Sequence, residues 1–582
     1  MIKFVKQYYP EFLSFGVILT ILMIDLNPDF TFINKAADSI GYIYSAQYLY
    51  PSYHTSPPLY LLVSHFFLML PFGTEAWRMG LVSVLSTMGA CVFIYLIITR
   101  SMVSCWADEP WIKNSSFYEN LVYLRQRARL FGILGILIYG LSALVISQSI
   151  IVNTYATTCM LASGAYYFAV TKHWKLMGLM IGIGLAVHLL MGFVLMVLLI
   201  AYKEYRTNWK ALVITFSFII FYIYIPLTNR PPYMWLPDPS QVNTMWATIT
   251  DVVSVINMLI GSLSIWDLPK RIFDIIGVMG VSIGVITIFP LVYYFKKSHK
   301  FWRNPLFWLI LVPIVLFMGE LDMNTFDYMM IAMPFISVAI CLGLSQMVTD
   351  YGFKARIFAT ATLVIVLGLG IFNCIYFDIG RTLDSNLSAT KLYREEFDKI
   401  PDGSIFMPNY AWEWEAIYKY KMDTGKDIYP ICIDVLPSSM YQQTLIKDGI
   451  VMEASDNENI SIKASEMAKS IALLNENVWT TVSVDPRTFG SEVIPVNRNP
   501  NLVANVDRER IEQITNNPQI QWKPYNPYEI MTTEIFIEKW NYLLYSNWNV
   551  RFFASWASIG LIIMWLFNYF SYKRKMADEV EE

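Results

Sequence analysis

The sequence predicts an α-helical polytopic membrane protein with an external α/β domain near its C-terminus. Three observations lead there. Of the 582 residues, 55% are apolar and 15% charged, against roughly 45–50% and 25% in ordinary soluble domains. Apolar runs of about 20 residues, long enough to cross a bilayer, recur up to residue 377 and once more at 551–571. Between 380 and 549 the texture changes: charges, Asn and Pro rise and no spanning run occurs. The net charge of −3, without a basic stripe, excludes a nucleic-acid partner.

The first apolar run, Phe12 to Leu26, follows Lys3 and Lys6 and lacks a small-residue cleavage site. It reads as a retained signal anchor with a cytoplasmic N-terminus. Further spans fall near 76–99, 130–147, 150–170, 211–227, 271–294, 305–319, 327–347, 355–377 and 551–571. Lys and Arg in short loops mark the cytoplasmic side. Arg100, Lys113, Arg125, Arg127 and Arg129 therefore put the 100–129 loop inside, and Lys296, Lys297 and Lys300 do the same for the loop after 294. Lys354 and Arg356 are inside too, as is the C-terminal tail with Lys573, Arg574 and Lys575.

These assignments agree only if 57–72, "PPLYLLVSHFFLMLPF", does not cross. It reads as a helix lying at the outer surface, within one long external loop from 27 to 75. The stretch 172–206 is basic at both ends (Lys172, Lys175; Lys203, Arg206), which suits two half-helices that enter and return, hinged near Gly184 and His188. The other reading is one long tilted helix. Half-helices are tolerated only where they are buried in protein or line a cavity. With them the chain has about 11–12 membrane helices.

The predicted domains are a membrane domain, 1–379, an external domain, 380–549, and a final helix with its tail, 550–582. In the external part "ATKLYREEFDKI" has helical periodicity, and "SIFM", "IYPICIDV" and "VWTTVSV" read as strands. A lid over the membrane face is its simplest role. The six cysteines are scattered, with neither a disulfide framework nor metal-ligand spacing, and no metal site is expected.

Ionisable residues near the bilayer are costly and so are candidates for function. The external face of the membrane part carries Asp25, Asp29, Asp38, Glu75, Asp238, Asp251, Asp267, Glu320, Asp322 and Asp327, most of them read as solvated loop charges. Asp38 differs: it opens an uncharged stretch, Ser39 to Leu70, that contains His54 and the Pro57-Pro58 pair. A partly desolvated carboxylate there suits a general base. An N-cap of the helix "DSIGYIYSAQYL" is an equally good local reading, and the two are compatible. Arg78, Arg230, Lys270 and Arg271 sit at predicted outer edges, where they either hold a lipid phosphate or snorkel to the interface. The loop "YIYIPLTNRPPYMWLPDPSQVNTMW", with Trp235 and Asp238, offers a stiff aromatic surface for a sugar or prenyl chain, or forms part of an aromatic belt.

Read in order, Asp38-Ser39, His54, Pro57-Pro58-Leu59-Tyr60, Pro71-Phe72-Gly73, Ala76-Trp77-Arg78, Ser147-Gln148 with Tyr155, the Gly184–His188 hinge, Pro226-Leu227, Pro231-Pro232, Trp235 and Asp238-Pro239 form a series. Over residues 10–350 the chain resembles a protein O-mannosyltransferase-like family of the GT-C fold, membrane glycosyltransferases that use polyprenyl-phosphate sugars. The resemblance implies an inverting transfer to an external protein or glycan acceptor. Asp38 would be the base, and His54, Arg78, Arg230, Trp235, Asp238, Lys270 and Arg271 would lie about the donor. No cofactor is implied beyond the lipid-linked donor, and bilayer lipids are the other expected partner. The chain departs from the family at Gly41 and Asn153, where acids are usual. That leaves a second expectation, a non-catalytic subunit that keeps the fold as a scaffold in a membrane complex. A transporter is the weaker third, since neither inverted repeats nor a midplane polar site is visible.

Overall fold

The computed structural model describes residues 8–28, 36–49, 57–107, 117–223, 268–297, 300–317, 326–384, 396–407, 411–433, 436–458, 460–481, 503–506, and positions 508, 512, 556 and 559. The membrane part starts with α1 (Tyr9–Asp25), α2 (Ala36–Tyr48), α3 (Pro58–Leu68), α4 (Glu75–Ala107) and α5 (Phe117–Gly140). It continues with α6 (Ala143–Ser149), α7 (Tyr155–Val170), α8 (Trp174–Val187), α9 (Met191–Ala201), α10 (Lys203–Thr207) and α11 (Trp209–Ser217). After a gap come α12 (Leu268–Ile283), α13 (Ile288–Lys297), α14 (Pro305–Phe317), α15 (Met333–Tyr351) and α16 (Phe353–Asp384), the last continuing beyond residue 379. Among the described residues three helices are long and apolar enough to cross a membrane alone, or five spans if each of two bent pairs counts as one.

The basic loops converge on one end of this bundle. Glu11 at the start of α1 pairs with Arg129 of α5 at 2.5 Å. Arg127 donates to the Ser345 carbonyl at 3.3 Å, and Lys297 pairs with Asp350 at 2.7 Å. Helices α4 and α7 run parallel, with Ser86 against Thr157 and Gly89 against Met160, so Arg100 and Lys172 fall at this same end. At the opposite end Leu26 lies against Gly80, and the Asn27 amide donates to the Ile150 carbonyl at 2.9 Å. The chain therefore leaves α1 and starts α4 at one end, and 57–72 does not cross. Its helix α3 has 11 residues, about 16 Å of rise, half of a hydrocarbon core.

The half-helix expectation holds. Helix α8 stops at His188, whose backbone is extended (φ −159°, ψ 132°), and α9 turns back. Tyr202, just past α9, touches Trp174 at the start of α8, ring centroids 5.6 Å apart. Helix α11 then runs parallel to α8: Gly178 faces Ala211, Gly182 faces Thr215, and the Tyr222 hydroxyl donates to the Leu185 carbonyl at 2.8 Å. Such an order requires the chain to return between the two.

Other expectations need correction. The single span predicted at 271–294 is two helices bent by 109°, because Gly284 takes a left-handed conformation (φ 85°) that ends α12. The 130–147 span bends by 64° between α5 and α6. Most of the predicted basic loop at 100–129 is helix, since α4 reaches Ala107 and α5 begins at Phe117.

The C-terminal part is a small α/β unit, as expected. Strands β1 (Ser404–Phe406), β2 (Ile428–Pro430), β3 (Val478–Thr481) and β4 (Val503–Asn505) form a sheet of order β2-β1-β3-β4. Strand β1 is parallel to β2 and β3, and β4 is antiparallel to β3. Helix α17 (Ala411–Thr424) connects β1 to β2, and α18 (Ser439–Lys447) and α19 (Ile460–Leu474) lie between β2 and β3. Alternate strand residues split the core: Phe406 and Ile428 pack with Phe397, Ile417 and Tyr420, whereas Ile405 and Ile431 pack with Leu445, Met467 and Ile471. Helices thus cover both faces, as a largely parallel sheet requires. The first cluster is continuous with the membrane core. Of "ATKLYREEFDKI" only the end is described, and it is a short 3-10 turn, Phe397–Lys399.

Candidate functional site

Asp38 is the third residue of α2, in its first turn rather than at the N-cap. The next residue fixes where this turn sits: the buried Ser39 hydroxyl donates to the Val152 carbonyl at 3.0 Å. The start of α2 therefore lies against the break between α6 and α7, at the end of the bundle away from the basic loops.

That break is irregular backbone within the membrane domain, tolerated only if every polar group is partnered internally. The sequence supplies the partners. Ser83 donates to the Asn153 carbonyl (3.1 Å), Ser86 bonds Thr157 (2.9 Å) and Thr87 bonds Ser149 (2.6 Å), a three-residue ladder from α4. Asn153, 2% exposed, donates from Nδ2 to Gln148 Oε1 at 2.9 Å. Its Oδ1 accepts the amides of Thr154 (2.6 Å) and Tyr155 (3.4 Å), tying off the start of α7. On the other side Asn373 of α16 donates to the Leu141 carbonyl at 3.0 Å, and Ser282 of α12 accepts the Leu144 amide at 3.0 Å. Asn153, in place of the acid the resemblance leads one to expect, thus joins two helices.

Asp25 corrects the sequence reading. One of the ten acids assigned to the external face, most of them read as solvated, it is fully buried, with Oδ1 3.9 Å from the Cys374 sulfur. The signal was present: Ile18, Ile21, Leu22 and Asp25 occupy one buried stripe of α1 at helical spacing.

Helix α3 closes the side. Pro57, Pro58 and Tyr60 are buried, and the Tyr60 ring meets Tyr42 of α2 edge-on at 5.5 Å. His65 Nδ1 lies 2.8 Å from the Ala46 carbonyl. Helix α3 therefore packs along α2. Arg78 is bound to backbone: its guanidinium donates to the carbonyls of Leu68, Leu70 (2.8 Å) and Thr74 (3.3 Å), capping the end of α3. Lys270 is exposed and Arg271 half-buried, both in the first turn of α12. His54, Arg230, Trp235 and Asp238 lie outside the described residues, as does the segment carrying them. Gly41 is a buried residue of α2, beside Tyr42.

The segment from Asp38 through the polar break to α11 is where the chain meets known proteins. Residues 38–212 match the family model of the protein O-mannosyl-transferase TMEM260 N-terminal domain. This TMEM260-like segment begins at Asp38 and takes in α2, the α4 ladder, the break and the α8–α9 hairpin. It agrees with the family resemblance carried by the motifs. No curated protein sequence matches the chain. Among solved structures, ArnT from Cupriavidus metallidurans bound to undecaprenyl phosphate aligns at 11% identity and a TM-score of 0.43, over 73% of this chain and 90% of that one. The Archaeoglobus fulgidus oligosaccharyltransferase tethered to an acceptor peptide aligns at 12% identity and a TM-score of 0.41, over 84% of this chain and 70% of that one.

Proposed function

We propose that this chain is a GT-C-type membrane glycosyltransferase that moves a sugar, mannose by its family match, from a polyprenyl-phosphate carrier to a hydroxyl of an external or lumenal acceptor, a protein side chain being the first choice. One observation carries the reading: the match to a protein O-mannosyl-transferase domain starts at Asp38 and covers α3, α4 and the α6–α7 break, which pack on its helix. In the proposed reaction Asp38 takes the acceptor's hydroxyl proton as that oxygen attacks the anomeric carbon. The bond from that carbon to the phosphate oxygen breaks, the lipid phosphate leaves with the electron pair, and the configuration inverts. Arg230, with Lys270 and Arg271, would neutralise the phosphate. His54, Trp235 and Asp238 would frame the sugar, and Arg78 would hold the end of α3. The buried Pro57, Pro58 and Tyr60 support a dry wall, in which fixed charges act more strongly than in water.

The test is transfer by the reconstituted full chain from radiolabelled polyprenyl-phosphate mannose to Ser/Thr-containing peptides. Label in the peptide is expected; none, across several carrier lengths and acceptors, overturns the proposal. A scaffold role is favoured by one feature, the commitment of Asn153 to structural bonds where the family usually has an acid. It predicts a stoichiometric membrane partner and no transfer.

A further inference from the structure

Helix α2 is held at both ends, and the second hold comes from the C-terminal domain. Its first turn is fixed by Ser39 to Val152. Its last turn meets α17: Gln47 Nε2 donates to Asp423 Oδ1 at 3.2 Å, and the Tyr48 hydroxyl donates to the same oxygen at 2.5 Å. The other oxygen, Oδ2, pairs with Lys419 one turn back at 2.5 Å. Lys419 also reaches Glu75 Oε2 at 3.0 Å, at the start of α4. The Lys419 side chain is 3% exposed, so its ammonium is held between two carboxylates with little water to replace either. Tyr44 of α2 adds an edge-on contact with Tyr418 at 5.4 Å, and Tyr418 stacks on Trp414 at 5.1 Å.

From this geometry we propose that Asp423 and Lys419 are positioning residues for the transfer reaction. The eleven residues from Asp38 to Tyr48 form one stretch of α2, about 15 Å of rise between the first and the last. A helix this short moves as a rod, so a grip on Tyr48 sets the tilt and rotation at Asp38. The C-terminal domain is thereby more than a cover, because the register of the proposed base depends on it. A mere lid would need no buried charge: a surface pair contributes little, whereas an ammonium caught between two carboxylates tolerates the loss of neither partner. The inference rests on the proposed function for its catalytic consequence, and on the α2–α17 contact alone for its mechanical one.

The experiment uses the full chain in nanodiscs and two readouts. Tyr48→Phe removes one hydroxyl and cannot plausibly unfold the domain, Asp423→Ala removes both links, and Lys419→Arg keeps the charge. Hydrogen exchange of residues 36–48 reports the grip without any substrate. Faster exchange there in Tyr48→Phe and Asp423→Ala, with α15 unchanged and Lys419→Arg close to wild type, is expected. Unchanged exchange in both variants overturns the proposal whether or not the chain transfers sugar. Where wild type transfers, kcat should fall about tenfold in Tyr48→Phe, from loss of one bond to a charged acceptor, and further in Asp423→Ala, with KM for the lipid donor unmoved. A pure KM effect, or kcat within twofold of wild type in both, overturns it equally. If wild type is inactive, the proposed function fails and the exchange result alone decides this inference.

Discussion

Replacing Asn153 with Ala should destabilise the membrane domain, and the structure sets the size. The change removes the acceptor that ties off the Thr154 and Tyr155 amides at the start of α7; a hydrogen bond of this kind contributes about 1 kcal/mol. It also strips Gln148 Oε1 of the Asn153 Nδ2–H bond, and a buried polar atom left without that donor costs about 1–3 kcal/mol. The sum is about 2–4 kcal/mol, at Gln148 and Asn153, which are 0% and 2% exposed. Asn153→Asp is the control. In its neutral form the carboxyl still accepts both amides through one oxygen and donates its O–H to Gln148 Oε1, so it should remain within about 1 kcal/mol of wild type. Tryptophan-fluorescence melting in detergent measures both. The Ala variant should melt at least about 3 °C below wild type and the Asp variant close to it. An Ala variant indistinguishable from wild type, or an Asp variant that melts lower than Ala, refutes the junction as described.

Gly178→Ala should cost about 1–3 kcal/mol, because its Cβ would stand 2.5 Å from the Ala211 carbonyl oxygen in the parallel α8–α11 contact; Gly192→Ala, with nothing within 4 Å of its Cβ, is the matched control in the same melting assay. Glu11→Gln should lower stability by about 1–3 kcal/mol, since Arg129 then loses its carboxylate partner inside the bundle; Arg129→Lys, which keeps the charge but not the two-nitrogen contact with both Glu11 oxygens, should cost less than that. Cysteines introduced at the exposed positions Thr74 and Lys300 should react with a membrane-impermeant thiol reagent from opposite faces, Thr74 from the external or lumenal one. Labelling from the same face would contradict the bundle order.

What could be read from the sequence was whatever local pattern dictates. The α8–α9 hairpin was visible because Lys172 and Lys203 bracket a run with a break at His188, and charge at both ends leaves an apolar run nowhere to cross. Strands such as Val478–Thr481 were visible from their β-branched and aromatic residues. The non-crossing of 57–72 followed from the side shared by the basic loops. Contacts between distant segments escaped. The kink at Gly284 left only a glycine in an apolar run. Asp25 was not set apart from the other predicted external acids, although its spacing from Ile18 and Leu22 belongs to the core. The grip of Asp423 on Tyr48 joins residues 375 apart, and no local rule reports it. Arg78 looked like a free external cation, and only the position of the end of α3 shows which carbonyls it caps.

The central claim, that Asp38 acts as the base in a sugar transfer at the head of α2, is tested most directly by one measurement. Purified wild-type chain and Asp38→Asn are compared for transfer of mannose from a polyprenyl-phosphate donor, with donor binding measured in parallel. General-base catalysis contributes about 100- to 10,000-fold, so the variant should lose at least about 100-fold in kcat while binding the donor as tightly as wild type. Turnover within about threefold of wild type, at unchanged donor affinity, would contradict the assignment.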